Sequence, residues 1–130
     1  MSHRHTDVTA QVAQACPIAA ALDRVAGKWS IGILMAAGAG PVRFTELERA
    51  LTGISRRMLT LNLRTMERDG LLHRTVHPTV PPKVEYALST SGLELRQALQ
   101  ALSTWTRQHG AAIAEAQDVY DQASLVLDRG

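Results

Sequence analysis

Between Arg43 and Leu88 the chain reads RFTELERAL-TGIS-RRMLTLNLRTMERDGLL-HRTVHPTVPPKVEYAL, and no other stretch restricts the possible folds as strongly. Thr45 with Glu48 matches a capping box and predicts a helix start, with Leu47 and Leu51 marking one face. Thr52-Gly53 interrupts that helix, because Gly53 takes a positive φ at low cost. Ser55 is a second N-cap. Two helical patterns joined by a short Gly-containing turn form a helix-turn-helix signature.

The second of these helices separates its faces. At 100° per residue Leu59, Leu63 and Met66 fall together, with Met58 and Asn62 at the margin. Arg57, Thr60, Arg64 and Arg68 fall opposite, with Leu61 beside them. Such a polar face is either plainly solvated or suited to DNA, where arginine reads guanine edges and Arg, Thr and Ser hold phosphates. Its place directly after the turn favours DNA, with Arg43, Thr45, Ser55, Arg56, Arg57, Thr60 and Arg64 as candidate contacts. Asp69-Gly70 closes the helix. Leu72 to Val76 and Lys83 to Leu88 are β-type runs, the second with Val84, Tyr86 and Leu88 on one side. HPTVPP between them holds three prolines in five residues (Pro78, Pro81, Pro82), which neither pair as strand nor fit a helix. The expected shape is a stiff hairpin tip, a wing, with Lys83 at its base in reach of a phosphate.

Charge is distributed to match. The net charge is only +2. From Arg43 to Arg74 there are seven arginines (43, 49, 56, 57, 64, 68, 74) against Glu46, Glu48, Glu67 and Asp69. From Glu115 onward Asp118, Asp121 and Asp128 follow, against Arg129 alone. A local positive field over the helix-turn-helix is what DNA binding requires.

The rest of the chain frames this unit. At 130 residues and 45% apolar it has material for one core. Residues 1–14 are expected as a mobile or weakly helical segment, residues 15–110 as the winged helix-turn-helix domain, and residues 111–130 as a C-terminal helix and acidic tail. Pro17 to Ala26 reads as helix, with Gly27 ending it. Trp29, Ile33 and Leu34 mark a second short helix, and Ala36 to Pro41 a loop, giving four helices before Gly70. Ser91 with Glu94 suggests another capping box. Leu95, Leu99, Leu102 and Trp105 then recur at helical spacing, and the helix continues past Gly110 or restarts at Ala111. That apolar face exceeds what one small core covers, so pairing of two chains is its expected use, with simple core packing as the alternative. No apolar run spans a membrane and no signal-peptide core is present, so a cytoplasmic, soluble protein is expected. One cysteine, Cys16, excludes an internal disulfide framework and a Cys-rich zinc site. The five histidines lack metal-site spacing, no nucleophile-plus-base set or phosphate loop is evident, and no enzyme, metal or cofactor is expected.

The motifs GKW (Gly27 to Trp29), RFTEL, GISRRML, ERDGLL and above all PTVPPKVEYAL resemble the HxlR-type family of bacterial winged helix-turn-helix transcription regulators, over roughly Cys16 to Trp105. The resemblance implies a mainly α fold with a small β-hairpin wing, and N- and C-terminal helices that form a dimer interface. Ile18 and Leu22 on the first helix and Leu95, Leu99, Leu102 and Trp105 on the last are the candidate contacts. It also implies a homodimer on a palindromic, inverted-repeat operator in double-stranded DNA, and a response to electrophiles, oxidants or other small effectors. His77, where the family usually has an aromatic residue, and Ala26, where it usually has Gly, depart from the pattern. Cys16 lies before Pro17, as in many relatives, at a helix N-terminus whose dipole favours an anion. It is the candidate redox or electrophile sensor, and an inert buried thiol is the alternative. A regulator answering a small molecule with a structural Cys16, or a winged-helix module that binds protein, are the other readings.

Overall fold

The structure, a computed structural model, describes the backbone of residues 2–25 and 27–129 and the side chains of residues 8–23, 25 and 27–128. Ala26 and the side chains of His3 and His5 therefore lie outside the described residues. The chain forms two units, residues 1–93 and 94–130.

The first unit opens with α1 (Ser2–Ala13), which packs on α2 (Ala15–Val25). Residues 1–14, expected as a mobile or weakly helical segment, thus carry a helix. Gly27, expected to end the second helix, is the N-cap of α3 (Lys28–Ala36). The expected loop from Ala36 to Pro41 is instead a 3-10 turn over Ala37–Ala39. It leads into β1 (Val42–Arg43), α4 (Phe44–Ala50) and α5 (Arg56–Arg68). Five α-helices, not four, precede Gly70 among the described residues, α1 being the additional one.

α5 organises this unit. Ser55 caps it, its Oγ accepting from the Met58 N–H at 3.1 Å, which typically contributes about 1 kcal/mol. Its C-terminus closes as a Schellman motif. The Gly70 N–H donates to the Glu67 carbonyl at 3.0 Å and the Leu71 N–H to the Met66 carbonyl at 2.9 Å, a wrap that needs the positive φ of Gly70 (77°). Between these stops Leu59, Leu63 and Met66 are buried, as are Ile33 and Leu34 of α3 and Leu72 of β2, the two elements on which α5 packs. Burial on this scale contributes about 1.5–3 kcal/mol per large side chain. One polar link crosses the same contact: Ser30 donates to Asn62 Oδ1 at 3.1 Å, while Asn62 Nδ2 donates to the Met58 carbonyl at 2.8 Å.

The sheet has one strand more than a hairpin. β2 (Leu72–His77) pairs antiparallel with β3 (Lys83–Leu88), and β3 pairs on its other side with β1, giving the order β1-β3-β2. Leu72 lies opposite Leu88, Arg74 opposite Tyr86 and His77 opposite Lys83. Tyr86 and Leu88 are buried with Leu72, so the expected alternation in β3 holds. β2 runs to His77, one residue further than expected.

Two expected caps are displaced. α4 starts from Arg43 with no side-chain cap, and Thr45 sits inside its first turn. Pairing of β1 with β3 places the chain there, and the helix begins as soon as the strand ends. The Ser91–Glu94 box is replaced by Ser89, whose Oγ accepts from the Gly92 N–H at 3.1 Å while its hydroxyl donates to the Gly70 carbonyl. The Ser89 N–H donates to the Leu71 carbonyl at 3.0 Å. The end of α5 thus fixes where the last helix, α6 (Thr90–Arg129), begins.

The second unit is the remainder of α6. Its 40 residues run without interruption, so neither a stop nor a restart occurs at Gly110. Leu102, Trp105, Val119 and Tyr120 are all exposed on it.

Candidate nucleic-acid interface

α5 turns its buried stripe inward and leaves Arg57, Leu61, Arg64 and Arg68 exposed on the other side, with Thr60 half-buried at the edge. An α-helix with one face free and basic has the form that enters a major groove. The Ser55 hydroxyl is engaged at the helix start, though its proton remains available to an acceptor. Thr60 donates its proton to the Arg56 carbonyl at 2.8 Å, so a phosphate would have to compete for it.

Two grooves flank α5. The first, about 510 Å³, is lined by Arg43, Phe44, Thr45, Arg56, Arg74, Pro82, Lys83, Val84 and Tyr86. It collects four cationic side chains (Arg43, Arg56, Arg74, Lys83) and no carboxylate among its lining residues. Arg56 sits over the Phe44 ring at 5.3 Å, and its Nε lies 3.7 Å from Glu48 Oε2. Being 76% exposed, the Arg56 side chain gains little from that pair, at most about 1 kcal/mol, and stays free to turn toward an anion. The second groove, about 310 Å³, is lined by Thr60, Arg64, Glu67, Arg74 and Tyr86. Of the residues singled out in the sequence, Arg43, Thr45, Arg56 and Lys83 therefore share one groove, and Thr60 with Arg64 share the other. Ser55 and Arg57 line neither.

Arg74 lines both grooves and was missed in the sequence as a contact. A signal was present. Leu72, Arg74 and Val76 share one phase of the strand, so Arg74 stands on the face that carries buried Leu72. A cation in the inward phase of a strand must emerge at a rim, here beside α5. At the wing base, His77 Nε2 lies 3.0 Å from Glu85 Oε1, tying the hairpin across its width.

The candidate pairing residues fall in both units: Ile18 and Leu22 of α2 are 58% and 48% exposed, and Leu102 and Trp105 of α6 are 53% and 49% exposed. Leu95 and Leu99 are half-buried. Cys16 is exposed in the single chain, in the first turn of α2. Among the described residues no three His, Cys, Asp or Glu gather as for a metal ion, and no helix is long and apolar enough to cross a membrane.

This arrangement has counterparts of known description. A family model described as HxlR-like helix-turn-helix matches residues 24–114. The chain is similar to an HTH-type transcriptional regulator of Methanothermobacter thermautotrophicus, 38% identical over 96 residues, covering 74% of this chain and 73% of the relative. Among solved structures it is similar to a transcriptional regulator of the MarR family from Enterococcus faecalis V583 (TM-score 0.72, 40% identity, 78% of this chain and 92% of that one). It is also similar to the redox regulator HypR in its reduced form (TM-score 0.70, 36% identity, 76% and 98%).

Proposed function

Because the chain belongs to the HxlR-like helix-turn-helix family of transcription regulators, we propose that it acts as a homodimer that places one α5 from each copy in the major groove of an inverted-repeat operator. The observation that carries this reading is the free basic face of α5 between two grooves lined by arginines from β1, α5 and the wing. Arg57 and Arg64 face outward from the helix and read base edges. Arg43, Thr45, Ser55 and Arg56 hold phosphates at the helix-turn-helix entrance, and Lys83 holds one from the wing. α2 and α6 pair the copies through Ile18, Leu22, Leu95, Leu99, Leu102 and Trp105. Two-fold symmetry then sets the half-sites about one helical turn, or a multiple of it, apart. The protein works where the genome is, in the cytoplasm. Selection of bound DNA from a random library, followed by footprinting, tests this. An inverted repeat protected on both halves is the expected result, and a single half-site or binding without sequence preference overturns it.

The signal is oxidant or electrophile acting on Cys16. Its exposure makes the thiol accessible, and one similar protein is described as a redox regulator. As the chain's one cysteine it has no partner within the chain, so oxidation yields a sulfenic acid, a mixed disulfide with a small thiol, or a disulfide between copies. The last requires the two Cα atoms to approach within about 7 Å. Operator affinity of wild type and Cys16→Ser, each with and without oxidant, decides. Loss of response in the variant supports the sensor, and an identical response in both makes Cys16 structural, with the signal a reversible ligand or one that acts elsewhere.

A further inference from the structure

From Leu95 to Val126 the exposed side of α6 carries apolar or small residues at alternating steps of three and four, interrupted only by His109. This is the spacing of a coiled-coil seam. It runs past residue 114, where the family match ends. The sizes along it are unequal. The first half holds Leu102 and Trp105. The second holds Ala112, Ala116 and Ala123, and there the helix surface forms a shallow apolar depression of about 570 Å³ around Ala116, lined also by Glu115, Val119 and Tyr120.

We propose that the occupant of this face is the same helix of a second copy, running antiparallel, with the two-fold axis between Gly110 and Ala111. The proposal rests on the homodimer reading and adds its direction and register. In this alignment Trp105 fits into the depression over the second copy's Ala116, Leu102 meets Val119, and His109 meets Ala112. Large residues meet small ones, as close packing demands. Trp105 is 49% exposed in the single chain and lies beside His109, with the rings tilted and their centroids 5.1 Å apart. A parallel pair stacks Trp105 on its own copy and leaves the alanine layers facing each other across a gap. Charge excludes the next register: a shift of one heptad sets Glu115 against Glu115, whereas the proposed one sets it beside Gln108. The opposite shift sets Val126 level with residue 88, beyond the start of α6, and leaves it uncovered.

The experiment uses the full-length chain in a Cys16→Ser background. Nitroxide labels at Ser103→Cys or Ser124→Cys are measured by dipolar electron-spin spectroscopy, after sedimentation has fixed the oligomeric state. At about 1.5 Å rise per residue, the antiparallel pair places labels about 22 Å apart along the axis at position 103 and about 40 Å apart at position 124. A dimer with short and equal separations at both positions overturns the pairing and leaves the homodimeric regulator standing. A monomer that still binds DNA overturns the pairing and the dimer together. A size swap supplies an independent check. Ala116→Trp alone weakens the dimer at least tenfold, and adding Trp105→Ala restores it. Failure of the double variant to recover overturns the contact between these two residues.

Discussion

α5 and α6 both carry an apolar stripe, and the two meet opposite fates. On α5 the stripe is consumed: Leu59, Leu63 and Met66 are 0%, 1% and 3% exposed. On α6 it is open: Leu102, Trp105 and Val119 are 53%, 49% and 62% exposed. Hydrophobic periodicity therefore specifies that a face will be covered and says nothing of by what. A stripe of three large residues is covered by α3 and the sheet. One that runs over thirty residues outlasts any core a chain of this size can build.

That contrast can be broken. Leu59→Ala removes a fully buried side chain and should cost about 2–5 kcal/mol of stability, read by urea unfolding; a loss within error would mean that the α5 stripe is not the keystone described. The double change Leu99→Asp and Leu102→Asp should instead leave the unfolding of the first unit unchanged and convert the dimer to monomer in sedimentation. A charge in an unfilled apolar contact is costly only where the contact exists. A dimer that survives it removes α6 from the interface. On the opposite face of α5, Arg57→Ala and Arg64→Ala should each cost about 1–3 kcal/mol on the operator and relax preference at one base position, measured by binding to a panel of single-base variants. Lys83→Ala should have the smallest effect. It weakens all sequences alike and lowers the slope of affinity against salt by about one. Equal, sequence-blind losses for all three would reduce α5 to a positioning element.

Much of the first unit was legible because its signals are local. Gly53, Ser55 and Gly70 state where α5 begins and ends, and Leu59, Leu63 and Met66 state which side goes in. The prolines state where the wing turns. What escaped depends on contacts distant in sequence. β1 is two residues long and exists because Val42 and Arg43 pair with Tyr86 and Glu85. The same pairing moved the start of α4 away from Thr45. Ser89, Thr90 and Ser91 offer three successive hydroxyls, and the choice among them was made by the carbonyl of Gly70, nineteen residues earlier. Of the candidate interface, the outward placement of the α5 arginines was legible from the helix period. Arg74 was not, because its position between two grooves follows from the sheet packing against α5.

The order β1-β3-β2 leaves β2 with a neighbour on one side only. Its outer row of peptide groups is a template on which a strand from another molecule could grow, and Val76, 49% exposed, would reward such growth. A wing that must stand out in solvent cannot cover this edge. The chain discourages self-association chemically instead: His73 and Arg74 are exposed along the strand, and Pro78, Pro81 and Pro82 at its end have no N–H with which an added strand could continue. The same proline-rich tip that shapes the wing is therefore also a guard against aggregation, and its loss would be noticed first as turbidity in concentrated protein.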